Sequence, residues 1–208
     1  MAMANEARLA ATAARQHGVF TRTQAIVAGF GAGQIERRVR SGTWRRLLPR
    51  VYVYAAAPAS LAQVHWAVVS WCGPGCALSH TSAASIWRIG APLSGSPEVV
   101  VARTRSPRAT GVVVHRIARL DDCDVTWVRG LPVTTPVRTI IDLAGVLDPD
   151  ALEHALGDAR IRRLVTVRAV LERLEEIGAP GRPGAALLQA LLAPIGSVWV
   201  DRSARMAG

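Results

Sequence analysis

The sequence predicts an α+β protein: a helical N-terminal unit ending in a hairpin, a small antiparallel sheet, and a helical C-terminal half. Three observations predict it. Residues 1–54 hold three short helical patterns followed by an aromatic and β-branched stretch around Pro49. Two Val-rich runs, Glu98–Arg103 and Gly111–Ile117, have strand composition. From Pro136 to Ala193 apolar residues recur at helical spacing behind Pro and Asp start signals.

Asn5–Gln16 is Ala-rich, with Leu9 and Ala13 spaced for one buried face and Gly18 as a stop. Thr21-x-x-Gln24 opens a second helix as a capping box, Phe20 stands before it as a staple, and Gly29 ends it. The third helix is Ala32–Ser41, ended by Gly42, and Trp44–Tyr54 gives two short extended pieces around Pro49. Three helices and a basic hairpin make the plan of a winged helix-turn-helix, assigned to residues 1–56.

A linker around Pro58 separates this unit from a second α+β domain over residues 61–193. There Leu61–Cys72 is helical, with Leu61, Val64, Val68 and Trp71 inward, and Gly73-Pro-Gly75 stops it. A short extended piece, Ala77–His80, precedes a helix over Thr81–Trp87 capped by Ser79 or Thr81. The two Val-rich runs flank an Arg-rich loop and are expected to pair antiparallel, with Asp124–Val128 as a third strand. Thr135 as N-cap and Pro136 at the first turn start a helix with Val137, Ile140, Ile141 and Ala144 inward. Further helices follow: one from Asp148-Pro149 burying Leu152, Leu156 and Ala159, then Val167–Ile177 and Arg182–Ala193. Residues 194–208 carry no period and are expected to form an irregular tail.

Charge narrows the function. The formal net charge is +10, and residues 1–54 carry nine arginines against Glu6 and Glu36. That concentration points to a polyanion, most simply double-stranded DNA. In Ala32–Ser41 the residues Gln34, Arg37, Arg38 and Ser41 fall at i, i+3, i+4 and i+7, which sets them on one stripe. Ile35 and Val39 point elsewhere, and Glu36 with Arg40 is expected to pair at i, i+4. Arg pairs bidentately with guanine and Gln with adenine, so the stripe suits base reading. Thr21 and Arg22 at the second helix, and Arg45, Arg46 and Arg50 in the hairpin, complete the candidate DNA contacts. Arg103, Arg105 and Arg108 form a candidate second contact.

All 25 basic residues of the Lys+Arg count are Arg. The absence of lysine excludes a Walker A site, Schiff-base chemistry and the lysine of a standard PD-(D/E)xK nuclease. Cys72, Cys76 and Cys123, an odd set with no secretory signal or membrane span, point to the cytoplasm. With His80 they have the ligand types of a zinc site, but the C-x₃-C spacing across a Gly-Pro-Gly turn is loose, and buried thiols are expected instead. Asp121, Asp122 and Asp124 read as turn residues, His154 and Asp158 as a solvated helix face, and His80 and Ser82 as caps or satisfied core. No catalytic group, metal or cofactor is expected.

GVFTRTQAIVAGFGAGQIERRVRSGTWRRLLPRVYVYA resembles the N-terminal winged helix of AbiEi-type antitoxins and related actinobacterial regulators. LSHTSAASIW, the Val-rich pair and GLPVTTPVRTIIDLA are similar to blocks of the second domain in those proteins, and the resemblance covers Arg8 to about Leu192. It implies a DNA-binding transcriptional regulator of a toxin–antitoxin system, an autorepressing antitoxin with a cognate toxin as partner. Relatives often continue into a nuclease-like domain related to very-short-patch-repair endonucleases. This chain ends where that domain would begin, so no enzymatic activity is expected. Gly31 and Gly33 stand where the family has a Ser or Thr cap and an Arg, and Arg50 where it has a small residue. A truncated nuclease-bearing member and a toxin-neutralising interaction protein are the competing readings. The sequence leaves the oligomeric state open.

Overall fold

The computed structural model describes residues 2–92, 94–178 and 181–194, so the predicted tail lies almost wholly outside the described residues. The fold is mixed α+β, as predicted, with two sheets. The first part runs α1 (Ala2–Ala14), β1 (Val19–Thr21), α2 (Arg22–Val27), α3 (Ala32–Arg40), β2 (Trp44–Leu48) and β3 (Val51–Tyr54). Its three strands lie in the order β1-β3-β2, antiparallel throughout.

Local chemistry explains these elements. Thr21 Oγ1 accepts from Gln24 N–H at 3.1 Å while Gln24 Oε1 accepts from Thr21 N–H at 2.8 Å, the capping box read from the sequence. The loop after α1 needs Gly18, whose φ of 85° lets its N–H return to Ala13 O at 2.8 Å. Strand β1 was not expected, because Val-Phe-Thr is too short to show a period. It forms by pairing Val19 with Val53 and Thr21 with Val51. Leu9, Phe20, Phe30, Ile35, Trp44 and Tyr52 are buried together, with Phe20 and Phe30 edge-on to Trp44 at 4.7 and 5.1 Å.

Helix α4 (Leu61–Cys72) starts at Ser60, whose side chain accepts from Gln63 N–H. Its expected inward side is corrected: Leu61 and Val64 are exposed, and Gln63, His65, Ala67, Val68 and Cys72 are buried. The reason is that α4 is covered from two directions. Ala67 packs with Val19, Val51 and Val53 of the first sheet, while Val68 and Cys72 pack with Leu78, Val99 and Val133 of the second. Polar residues caught between must be satisfied in place. Gln63 Nε2 donates to the carbonyls of His17 and Pro58, whereas His65 Nδ1 has no hydrogen-bond partner among the described residues.

Burial pushes the His65 imidazole down to about 4, whereas an unfolded histidine titrates near 6.5. As pH falls, the unfolded chain takes up this proton first. The His65 contribution is therefore complete above about 6.5 and lost as pH falls toward 4, by about 3 kcal/mol. Urea titrations from neutral pH to pH 4.5 should show this slope reduced in His65→Gln relative to the parent. Equal slopes would count against it.

The second sheet contains β4 (Cys76–Leu78), β5 (Glu98–Ala102), β6 (Val113–Ile117), β7 (Val125–Val128) and β8 (Leu131–Thr134), in the order β6-β5-β4-β8-β7. It corrects the antiparallel expectation, because β5 and β6 are parallel, Glu98 opposite Val113 and Ala102 opposite Ile117. The intervening Arg-rich segment is long enough to run back along a five-residue strand, so it serves as a crossover rather than a hairpin turn. β7 lies at the far edge, antiparallel to β8. The Leu131-Pro-Val-Thr segment, expected only to lead into a helix, is the buried strand β8 beside β4.

Helix α5 (His80–Trp87) follows β4, and α6 (Pro136–Leu143), α7 (Pro149–Ile161), α8 (Val167–Glu176) and α9 (185–194) form the C-terminal half. Ile140, Ile141, Leu152, Leu156 and Ala159 are buried as expected. The acidic turn is not merely a turn, which corrects its reading. Asp124, 1% exposed, accepts from Arg138 Nη1 at 2.8 Å and from Arg173, and Arg173 also reaches Asp121. Arg138 is fully buried in α6 and donates through Nε to Asp142 at 2.8 Å. This network ties the Asp122–Asp124 turn to α6 and α8.

Candidate nucleic-acid interface

Ile35 sets the inward face of α3, and the opposite face is set by helical spacing. Of the four predicted stripe residues, Arg37 is exposed and has no ion pair among the described residues. The other three are engaged within the protein. Gln34 Oε1 accepts the Gly31 N–H at 2.9 Å, which returns part of the cap lost with a glycine at that position. Ser41 Oγ donates to Arg38 O and contacts Thr43 Oγ1. Arg38 turns inward: it pairs with Glu6 at 2.7 Å and lies over the rings of Phe30 and Trp44 at 4.9 and 5.2 Å. Glu6 also accepts from Tyr54 Oη at 2.8 Å, and burial followed by that bond pushes the phenol well above its usual range.

The expected Glu36–Arg40 pair does not form. Glu36 instead lies 3.7 Å from Arg22 and 3.9 Å from Arg46, because α3 lies near both the start of α2 and strand β2. Arg40 is left exposed beside Arg37 on the outward face. The hairpin joins the same surface. Its turn is Pro49-Arg50, with Leu48 opposite Val51. Arg50 adopts φ 63°, the left-handed conformation that a glycine would take without strain, and its carbonyl accepts from Arg22 N–H at 2.8 Å. Arg45 and Arg50 are exposed, and Arg46 is half exposed over Tyr52. Thr21, by contrast, spends its hydroxyl on the cap. Arg22 and Arg46 thus meet at Glu36 beside α3, while Arg37, Arg40, Arg45 and Arg50 are exposed on α3 and the hairpin.

The second candidate contact is divided. Arg103 and Arg108 are exposed. Arg105 is instead a tie within the fold, donating to Pro74 O at 2.6 Å and to Cys72 O. Cys72 and Cys76 are buried and Cys123 is exposed, and His80 lies with Glu98 and His115 rather than with the thiols.

That His80–Glu98–His115 group was missed in the sequence. No spacing joins a residue opening α5 to one in β5 and one in β6; only the fold does. His115 Nε2 lies 2.7 Å from Glu98 Oε2, Thr81 Oγ1 donates to Glu98 Oε1 at 2.5 Å, and His80 Nδ1 contacts Ser79 Oγ at 2.9 Å. The two imidazoles stack at 3.5 Å. Burial, and then the neighbouring His115, push His80 down to about 3. Burial alone would raise the Glu98 carboxyl, but the hydrogen bonds from His115 and Thr81 outweigh it and hold it below its usual range.

Among the described residues no helix is long and apolar enough to cross a membrane. The fold is similar to that of the crystal structure of the RV2827C protein from Mycobacterium tuberculosis, with a TM-score of 0.62 and 18% sequence identity over 91% of this chain and 76% of that one. No curated protein matches the sequence. The surface just described lies within a segment of known type: residues 7–55 match the AbiEi antitoxin family of transcriptional regulators, the family the sequence resembles.

Proposed function

We propose that residues 1–56 form a winged helix-turn-helix that binds duplex DNA, with α3 in the major groove and the β2–β3 hairpin at the phosphate backbone. The chain then acts as an antitoxin-like autorepressor in the cytoplasm, without catalysis, and a cognate toxin is its protein partner. One observation carries the reading. Among the described residues Arg37 and Arg40 have no ion pair and are exposed on the outward face of α3, and Arg22 of α2 and Arg46 of the hairpin lie at Glu36 of the same helix. Unpaired guanidinium groups are free to meet base edges, while hairpin arginines meet phosphates, which position without reading sequence.

The test is a set of titrations of the full chain on a duplex from the gene's own promoter and on a scrambled duplex, at several salt concentrations. Arg37→Ala or Arg40→Ala should cost about 1–3 kcal/mol on the promoter and relax base preference. Arg45→Ala or Arg50→Ala should weaken both duplexes alike and lower the salt slope by about one. Arg38→Ala should lower thermal stability before it touches base preference, since its partners are Glu6, Phe30 and Trp44. If Arg38→Ala alone changes base preference while Arg37→Ala and Arg40→Ala do not, the assigned face of α3 is wrong. Co-purification with the product of a neighbouring gene tests the toxin partner.

A further inference from the structure

We propose that His80, Glu98 and His115 form a binding site for one divalent transition-metal ion of the zinc class. The site lies in the second part of the chain and is independent of the DNA-binding reading. Three donors from three elements, the first turn of α5 and strands β5 and β6, come together with their ligand atoms all within 4.8 Å of one another. Two imidazoles and one carboxylate are a donor set that zinc takes with a further position left open.

The surroundings hold the donors as outer partners hold metal ligands. His80 Nδ1 is engaged by Ser79 Oγ, which leaves Nε2 as the ring's ligand nitrogen. Glu98 Oε1 is engaged by Thr81 Oγ1, which leaves Oε2 facing His115. His80 also adopts φ 48°, a left-handed conformation that a residue with a Cβ takes only when its surroundings enforce it. An imidazole 6% exposed is thus fixed, at some backbone cost, face to face with a second one.

Loading the ion requires the donors to move from separations of up to 4.8 Å. Bonds of about 2.0–2.1 Å at a tetrahedral centre set ligand atoms ~3.3 Å apart. The His115–Glu98 separation of 2.7 Å must therefore open slightly, and the rings must turn out of their parallel stack so that both lone pairs meet one point. The hydrogen bond between His115 and Glu98 gives way as the ion takes its place.

The experiment is a calorimetric titration of the untagged, chelator-treated full chain with Zn²⁺, together with visible absorption of the Co²⁺ form. One equivalent should bind, with the visible bands of a nitrogen- and oxygen-ligated cobalt site. Glu98→Gln and His115→Gln should each weaken binding roughly 100-fold or more, taking the upper end of the loss seen when even an outer partner is removed. Circular dichroism of the metal-free variants checks that they are folded. Changing Cys72, Cys76 and Cys123 to Ser, or His154 to Gln, should leave the affinity unchanged. No stoichiometric uptake by the parent chain overturns the proposal whatever the variants do. So does binding that persists in folded Glu98→Gln and His115→Gln, or that is lost with the cysteines.

Discussion

Replacing Arg138 by methionine is expected to destabilise the chain by about 3–5 kcal/mol, the cost of removing one partner from a buried ion pair. Arg138 is fully buried, and its guanidinium is the common partner of Asp124 and Asp142, themselves 1% and 5% exposed. Methionine fills most of the space, so the loss reports uncompensated carboxylates rather than a cavity. Arg173 still reaches Asp124, which leaves Asp142 as the more exposed to the loss of charge. A double variant, Arg138→Met with Asp142→Leu, should recover part of the stability, since an apolar replacement of both partners avoids the stranded charge. Urea denaturation measures both. A loss below about 1 kcal/mol in the single variant would mean that water reaches the network.

Trp44→Ala should cost a similar amount, about 3–5 kcal/mol, for a different reason. The indole is fully buried at the start of β2, with Phe20, Phe30, Tyr52 and Tyr54 around it and the Arg38 guanidinium over it. Its removal opens a cavity where α3 meets the first sheet, so duplex binding should fall together with stability. Trp44→Phe, which keeps an aromatic ring, should cost markedly less. Thermal melts followed by promoter titrations check the pair, and unchanged DNA affinity in a clearly destabilised Trp44→Ala chain would separate α3 from this core.

What could be read in advance was what local chemistry decides. Thr21 with Gln24, Thr135 with Pro136 and Asp148 with Pro149 mark helix starts because a side-chain acceptor, joined in the last two by proline's fixed φ, acts within one turn, and the structure has all three. Strands failed where pairing is non-local. Neither β1 nor β8 carries a period of its own, and the direction of β6 depends on where a long loop returns, which composition does not encode. The same limit applied to the candidate site. A helical wheel places Arg38 near the boundary of the exposed face, but Glu6, Phe30 and Trp44, remote in sequence, draw it inward. Glu36 likewise prefers Arg22 and Arg46 over Arg40, because cross-element neighbours approach it where the i, i+4 partner does not.

Helix α4 has a consequence for whether the chain can be assembled from separable parts. Because Ala67 closes one hydrophobic cluster while Val68 and Cys72 close another, the N-terminal unit is not a portable cassette that can be cut at Ser60 and grafted elsewhere. A graft ending there leaves Val19, Val51 and Val53, each almost fully buried in the whole chain, open to water on the back of the sheet. A graft carried through Cys72 moves that cover with it, at the cost of presenting Val68 and Cys72 to whatever is fused behind. A change of composition at the proline-containing linker is therefore not a seam in the packing, because α4 belongs to both cores.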